Sequence, residues 1–188
     1  MIIFEGPDNS GKSTIASYIA HELGIPLHHF GKPPKNEIEL KNRIDFMFEN
    51  KDFLIFDRVP LISEQIYSIL REKNLMSVID EANAYYVRLR EINPIIIYCR
   101  PAVEVMVETL HEAKTYDSKD HMLAVENKFL DLIDRYDQVM ESEYLPKPWY
   151  FDYTKQEHDI FLAQLEDEVI KRNLYKPFYN EGEKKHAS

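Results

Sequence analysis

The stretch Gly6-Pro7-Asp8-Asn9-Ser10-Gly11-Lys12-Ser13 constrains this chain more than any other. It fits G-x-x-x-x-G-K-[ST]. The apolar run MIIFE precedes it, and Ser13 to Leu23 follows with Ile15, Ile19 and Leu23 at helical spacing. A strand, a glycine-bounded loop and a helix, in that order, form a phosphate cradle. Loop N–H groups point inward at the β-phosphate, and the helix adds its N-terminal dipole. The lysine reaches the β/γ-phosphates, and the hydroxyl after it ligates Mg²⁺. A chance match in a turn would lack the strand before and the helix after. The motif therefore assigns Gly6, Asn9, Ser10, Gly11, Lys12, Ser13 and Thr14 to ATP or a related triphosphate, with Mg²⁺ on Ser13.

The rest of the chain alternates in the same way. IPLHHF (Ile25 to Phe30), DFLIFDR, PIIIYC (Pro94 to Cys99) and WYFDY read as further strands. Helices are predicted over Ile38 to Phe48, Pro60 to Leu70, Ala102 to Leu110, Met122 to Met140 and Gln156 to Lys171. Another is expected to run to Arg90, capped by Ser77 with Glu81 in support. Alternating strands and helices give an α/β, three-layer architecture with a parallel sheet covered on both faces. Right-handed crossovers gather the strand C-termini on one edge, where ligands bind. The polar residues expected there are Gly6 to Ser13, His28 to Lys32, Asp57-Arg58, Arg100 and the start of the last helix.

Composition limits the partners. The 188 residues are 44% hydrophobic and 30% charged, which suits one domain, expected over 1–180, with a polar, frayed tail at 181–188. The net charge is -10. An acidic protein that binds phosphate must gather its cations locally, and general affinity for nucleic acid is disfavoured. No apolar run approaches the roughly 20 residues of a membrane helix, so no membrane partner is expected. The first residues read as neither signal nor transit peptide. With Cys99 as the only cysteine, a cytoplasmic location is the expectation.

A phosphate loop alone does not say what is done with the triphosphate. The sequence shows no guanine-reading N-K-x-D and no strand ending in the consecutive acids of a motor ATPase. DFLIFDR ends in Asp-Arg instead. At a strand end beside the loop, Asp57 would hold Mg²⁺ through water or accept a proton, and Arg58 would clamp a second anionic group. An acid next to a base there suits phosphoryl transfer between two phosphate-bearing molecules.

EGPDNSGKST followed by FDRVPLISEQIY resembles the thymidylate kinase group of P-loop nucleoside monophosphate kinases, and most of all its short phage-type deoxynucleotide kinases. The resemblance implies a five-stranded sheet in order 2-3-1-4-5 and transfer from ATP to a deoxynucleoside monophosphate, a dTMP-like pyrimidine first. It implies that Asp57 acts near Mg²⁺ or the reacting phosphates, with Lys12 and Arg58 completing the catalytic set. Arg58 would grip the acceptor phosphate, and Asp8 would approach the acceptor's sugar. The chain departs from the pattern at Asn9, where Gly is usual, at Val59, where an aromatic is usual, and at GKPPKN, where Lys32 takes over phosphate work. A deoxynucleoside kinase, a polynucleotide-end kinase and a non-catalytic nucleotide-binding protein are the alternatives. Frequent homodimers in the group leave a homodimer open for this chain.

A lid is expected at about 112–121, with Lys114 and Lys119 closing over the phosphates. Arg100, Phe46 and Tyr67 join the expected acceptor contacts, the rings as stacking surfaces. Arg43, Arg88 and Arg90 flank the same cleft, and the sequence does not rank them. His28 and His29 cannot easily share a metal ion, because neighbouring strand residues point to opposite faces.

Overall fold

Five short strands pair in parallel in the order β2-β3-β1-β4-β5. In this computed structural model the described residues are 1–71, 73–110 and 127–174. The elements are β1 (Ile2–Glu5), α1 (Lys12–Leu23), β2 (Leu27–His29), α2 (Glu37–Glu49), β3 (Ile55–Asp57), α3 (Pro60–Tyr67), α4 (Ala82–Ile92), β4 (Ile95–Cys99), α5 (Val103–Leu110), α6 (Phe129–Met140), β5 (Trp149–Phe151) and α7 (His158–Lys171). The expected strand order is the one found. The expected lid with Lys114 and Lys119, and the polar tail, lie outside the described residues.

The sheet separates two cores. Ile3, Phe56, Ile96 and Tyr98 face one side, against residues of α2, α3, α4 and α6. Ile2, Phe4, Ile55, Ile95, Ile97 and Cys99 face the other, against α1 and α7. Adjacent strand residues point to opposite faces, so a strand buried on both sides shows continuous rather than alternating apolar residues. Each fully buried Ile or Phe contributes about 1.5–3 kcal/mol. The central strands hold the sheet edge rigid, and the site is built on that edge.

One predicted boundary fails. Ser77 caps no α-helix. Residues Leu75–Val78 form a 3₁₀ turn whose first N–H groups are served by Asn74, and Ser77 Oγ donates to the Asn74 carbonyl at 2.7 Å. α4 starts only at Ala82. Asn74 competes for the local backbone more effectively because its side chain accepts from Met76 N–H at 2.9 Å. α3 ends at Tyr67 and tightens into a 3₁₀ turn over Ser68–Leu70. Among the described residues, no helix is long and apolar enough to cross a membrane.

Candidate active site

The loop between β1 and α1 closes because three of its residues take unusual backbone conformations. Gly11 sits at φ 74°, and a Cβ there would lie 2.7 Å from the Tyr153 ring. A Cβ on Gly6 would lie 2.6 Å from the Cys99 carbonyl oxygen and from Ser10 Oγ. Asn9 has φ 61°. Asn is among the few non-glycine residues that enter the left-handed region routinely, which accounts for Asn at a position where glycine is usual.

Lys12 opens α1 and is buried. Burial, and then the nearby Arg58 guanidinium, push its ammonium below the usual lysine range against the pull of Asp57. Asp57, at the end of β3, is also buried. It accepts from Lys12 Nζ and from Ser13 Oγ at 3.0 Å, and His29 Nδ1 lies 2.9 Å from its Oδ2. His29 ends β2, while His28 on the opposite face packs among Phe30, Phe46 and Phe56. The two histidines therefore diverge as expected. Sequence reading nonetheless missed His29 as a partner of Asp57, although the parallel register places them side by side.

Arg58 follows with φ 64°. That conformation costs an L-residue roughly 1–2 kcal/mol, and the surroundings hold it in place. Arg58 N–H donates to the Phe4 carbonyl at 2.8 Å, and Val59 N–H donates to Glu5 Oε1 at 2.8 Å. The turn swings the guanidinium over the loop. Nη2 donates to Asp8 Oδ1 at 2.7 Å and to the Gly6 carbonyl at 3.2 Å, and the guanidinium carbon sits 4.9 Å from the Tyr67 ring centre. Tyr67 donates to the other Asp8 oxygen at 3.3 Å. Asp8 thus ties the phosphate loop to Arg58 and α3.

Glu5 was not foreseen as a site residue. It is completely buried at the end of β1, and burial raises its carboxyl to about 7. Oε2 has no hydrogen-bond partner. The signal was present in the sequence: a lone acid closing an otherwise apolar strand directly before the loop.

These groups line a cleft of about 620 Å³, within the range of small-ligand sites. Lys12, Lys32, Arg43, Arg58 and Arg71 line it, against the acids Asp8, Asp57 and Glu64. Cations thus outnumber acids in the cleft of a chain whose net charge is -10. Asn9, Ser13 and Tyr67 line it too, and Arg43 donates to the Lys32 carbonyl at 2.6 Å. Of the expected contacts, Gly6, Ser10, Gly11, Thr14, Phe46 and Arg100 are not among its lining residues. Arg100 is held by Asp137 through two bonds of 2.9 Å. Phe46 packs against His28 and Phe30 instead. Thr14 is exposed outside the cleft. Arg88 lies over the Phe48 ring. Among the described residues no three His, Cys, Asp or Glu side chains cluster to hold a metal.

No protein-family model matches the chain. Among solved structures, it is similar to the YorR protein of Bacillus subtilis in complex with phosphorylated GDP. The TM-score is 0.67 at 19% identity, over 92% of this chain and 96% of that one. It is similar to thymidylate kinase from Candida albicans (TM-score 0.58, 16% identity, 92% and 91% covered). It is also similar to deoxyadenosine kinase from M. mycoides with products dCMP and dCDP bound (TM-score 0.56, 17% identity, 90% and 98% covered). At these identities the likeness shows the fold alone, an α/β fold around a five-stranded parallel sheet.

Proposed function

We propose that this protein is a Mg²⁺/ATP-dependent kinase that phosphorylates a deoxynucleoside monophosphate, with a dTMP-like pyrimidine as the favoured acceptor. The observation that carries the proposal is that one cleft is lined both by Lys12 beside the phosphate loop and by Arg58, Lys32 and Arg43. In this reading the first takes the triphosphate and the second group takes the acceptor phosphate. A binding protein or switch needs only the first. The thymidylate and deoxyadenosine kinase activities of the structural neighbours support nucleotide chemistry.

The residues fit a bound Mg²⁺ and triphosphate. Lys12 is a buried cation at a helix N-terminus, and Asn9 Nδ2 and Ser10 Oγ are buried without partners beside it. Ser13 and Asp57, 3.0 Å apart, would hold the cation, directly or through water. Mg²⁺ supplies charge neutralisation at the phosphate oxygens. In the transfer, an acceptor phosphate oxygen bonds to the γ-phosphorus and the bond to the β–γ bridging oxygen breaks, releasing ADP. That oxygen is already anionic, so the step needs no strong base. Arg58 holds the acceptor phosphate in line and offsets the charge that builds between two anions. Asp8 meets the acceptor's sugar hydroxyl.

A bare nucleoside would instead need a base for its hydroxyl proton. The His29–Asp57 pair at the ends of β2 and β3 is the observation that favours this second reading. An ADP-release screen over nucleosides and monophosphates, ribo and deoxy, separates the two. The proposal expects release with deoxynucleoside monophosphates and little with nucleosides.

A further inference from the structure

α3 presents a continuous polar face to the cleft. Pro60, Ser63, Glu64, Tyr67 and, one turn beyond, Arg71 line it. Pro60, Ser63, Glu64 and Tyr67 follow the i, i+3, i+4, i+7 pattern of a single helix face, and Arg71 follows the 3₁₀ turn that ends the helix. The face begins beside Arg58, and Pro60 to Tyr67 covers about 10 Å at 1.5 Å per residue. A nucleotide whose phosphate lies on Arg58 therefore extends its base along this face toward Arg71.

The far end of the face is built in an unusual way. Glu64 is 2% exposed, although carboxylates are seldom buried without a firm partner. Both of its oxygens are used: Oε2 accepts from Arg71 Nη2 at 2.6 Å and Oε1 accepts Leu75 N–H at 2.8 Å. Arg71 is thereby fixed while its own hydrogen bonding is incomplete, because Nε is buried without a partner. Ser63 Oγ, one helical turn from Tyr67 on the same face, is buried without a partner as well. A buried donor left unpaired carries a desolvation cost that a ligand acceptor would remove.

We infer that Arg71, held by Glu64, is a specificity-determining residue that reads the acceptor's base and selects bases with a carbonyl oxygen at pyrimidine C4 or purine C6, where cytosine and adenine carry an amino group. This rests on the monophosphate kinase reading of the cleft. Unpaired donors favour an acceptor edge, as in thymine, uracil or guanine. The amino edge of cytosine or adenine needs an acceptor, and the Glu64 oxygens that would serve are already taken. A site whose fixed donors face an amino group is left with unpaired groups on both sides, so rejection exceeds the gain from one good contact.

The test pairs transfer with binding. Rates of ADP release and equilibrium binding are measured for dTMP, dUMP, dGMP, dCMP and dAMP, with wild type, Arg71→Gln and Arg71→Lys. Wild type is expected to favour dTMP, dUMP and dGMP. Both variants are expected to lose roughly 10- to 100-fold of that preference, the scale of one bidentate base contact. The loss falls on acceptor KM, and the KM for ATP stays within about twofold. Arg71→Lys keeps a cation beside Glu64 but lacks the planar fork, so it separates recognition from folding. An equal loss across all five monophosphates would make Arg71 a phosphate or structural cation and overturn the inference. Equal use or equal binding of the five by wild type overturns it as well, with the kinase reading intact. Absence of transfer to any monophosphate overturns the kinase reading instead, and binding still decides the role of Arg71: no binding, or binding without preference, ends it.

Discussion

Arg58 and Arg100 occupy equivalent places in the chain. Each is the first residue after a strand of the parallel sheet, at the same edge, and each pairs with an aspartate. Their hydrogen bonding differs. Arg100 spends Nε and Nη2 on Asp137 and Nη1 on the Pro101 carbonyl. Arg58 is turned into the cleft by a left-handed backbone, shares one nitrogen between Asp8 and Gly6, and keeps a buried Nε unpaired. Topology carries both residues to the ligand edge. The donors left over decide which of them serves a ligand.

The largest effect expected in testing this contrast is at the first anion site. Lys12→Ala should lower transfer by roughly 10³-fold or more, as removal of a principal charge stabiliser does. Circular dichroism is needed beside the rate, since the substitution leaves the buried Asp57 carboxylate without its Lys12 partner.

Next comes Glu5, which holds the Arg58 turn and has no counterpart at Arg100. Its carboxyl is raised from 4.5 to about 7 by burial. The folded chain then keeps a proton that the unfolded chain has already released, so this contribution is full below about 4.5 and is lost as pH rises toward about 7. The loss in the ligand-free protein is about 3 kcal/mol at 1.36 kcal/mol per unit. Denaturant melts from pH 4.5 to 7.5 should show that decline, and Glu5→Gln should flatten it. A wild-type curve already flat over the window would remove Glu5 from the account.

Arg100→Ala should leave acceptor and ATP kinetics within about twofold. Its cost is in stability, about 1 kcal/mol in a double-mutant cycle with Asp137→Ala, since the pair is partly solvent-screened. The smallest effect is at Asn9. Asn9→Gly should change stability by no more than about 0.5 kcal/mol, while Asn9→Val should cost about 1–2 kcal/mol because a β-branched residue is strained at positive φ.

The contrast also shows how far the sequence could be read. The alternation of strands and helices and the gathering of the loop, Asp57 and Arg58 at one sheet edge follow from periodicity, one motif and the sheet-edge rule, whereas the strand order rested on the family resemblance. Arg100 is not brought to the cleft, because the same rule says nothing about Asp137, a residue 37 positions away that takes its Nε and Nη2. Phe46 is not brought to the cleft, because its half-exposed ring on α2 packs against His28 and Phe30 instead. His29, Glu5 and the Glu64–Arg71 pair went unseen for a related reason. Their roles depend on burial and on who remains unpaired, which only the folded arrangement sets.

The central claim, that Arg58 and not Arg100 holds the second anion, is tested most directly by acceptor kinetics of Arg58→Ala beside Arg100→Ala. The account predicts that Arg58→Ala loses roughly 10³-fold in kcat/KM for the monophosphate with the KM for ATP nearly unchanged, while Arg100→Ala matches wild type. Undiminished turnover in Arg58→Ala, or an equal loss in both variants, would contradict it.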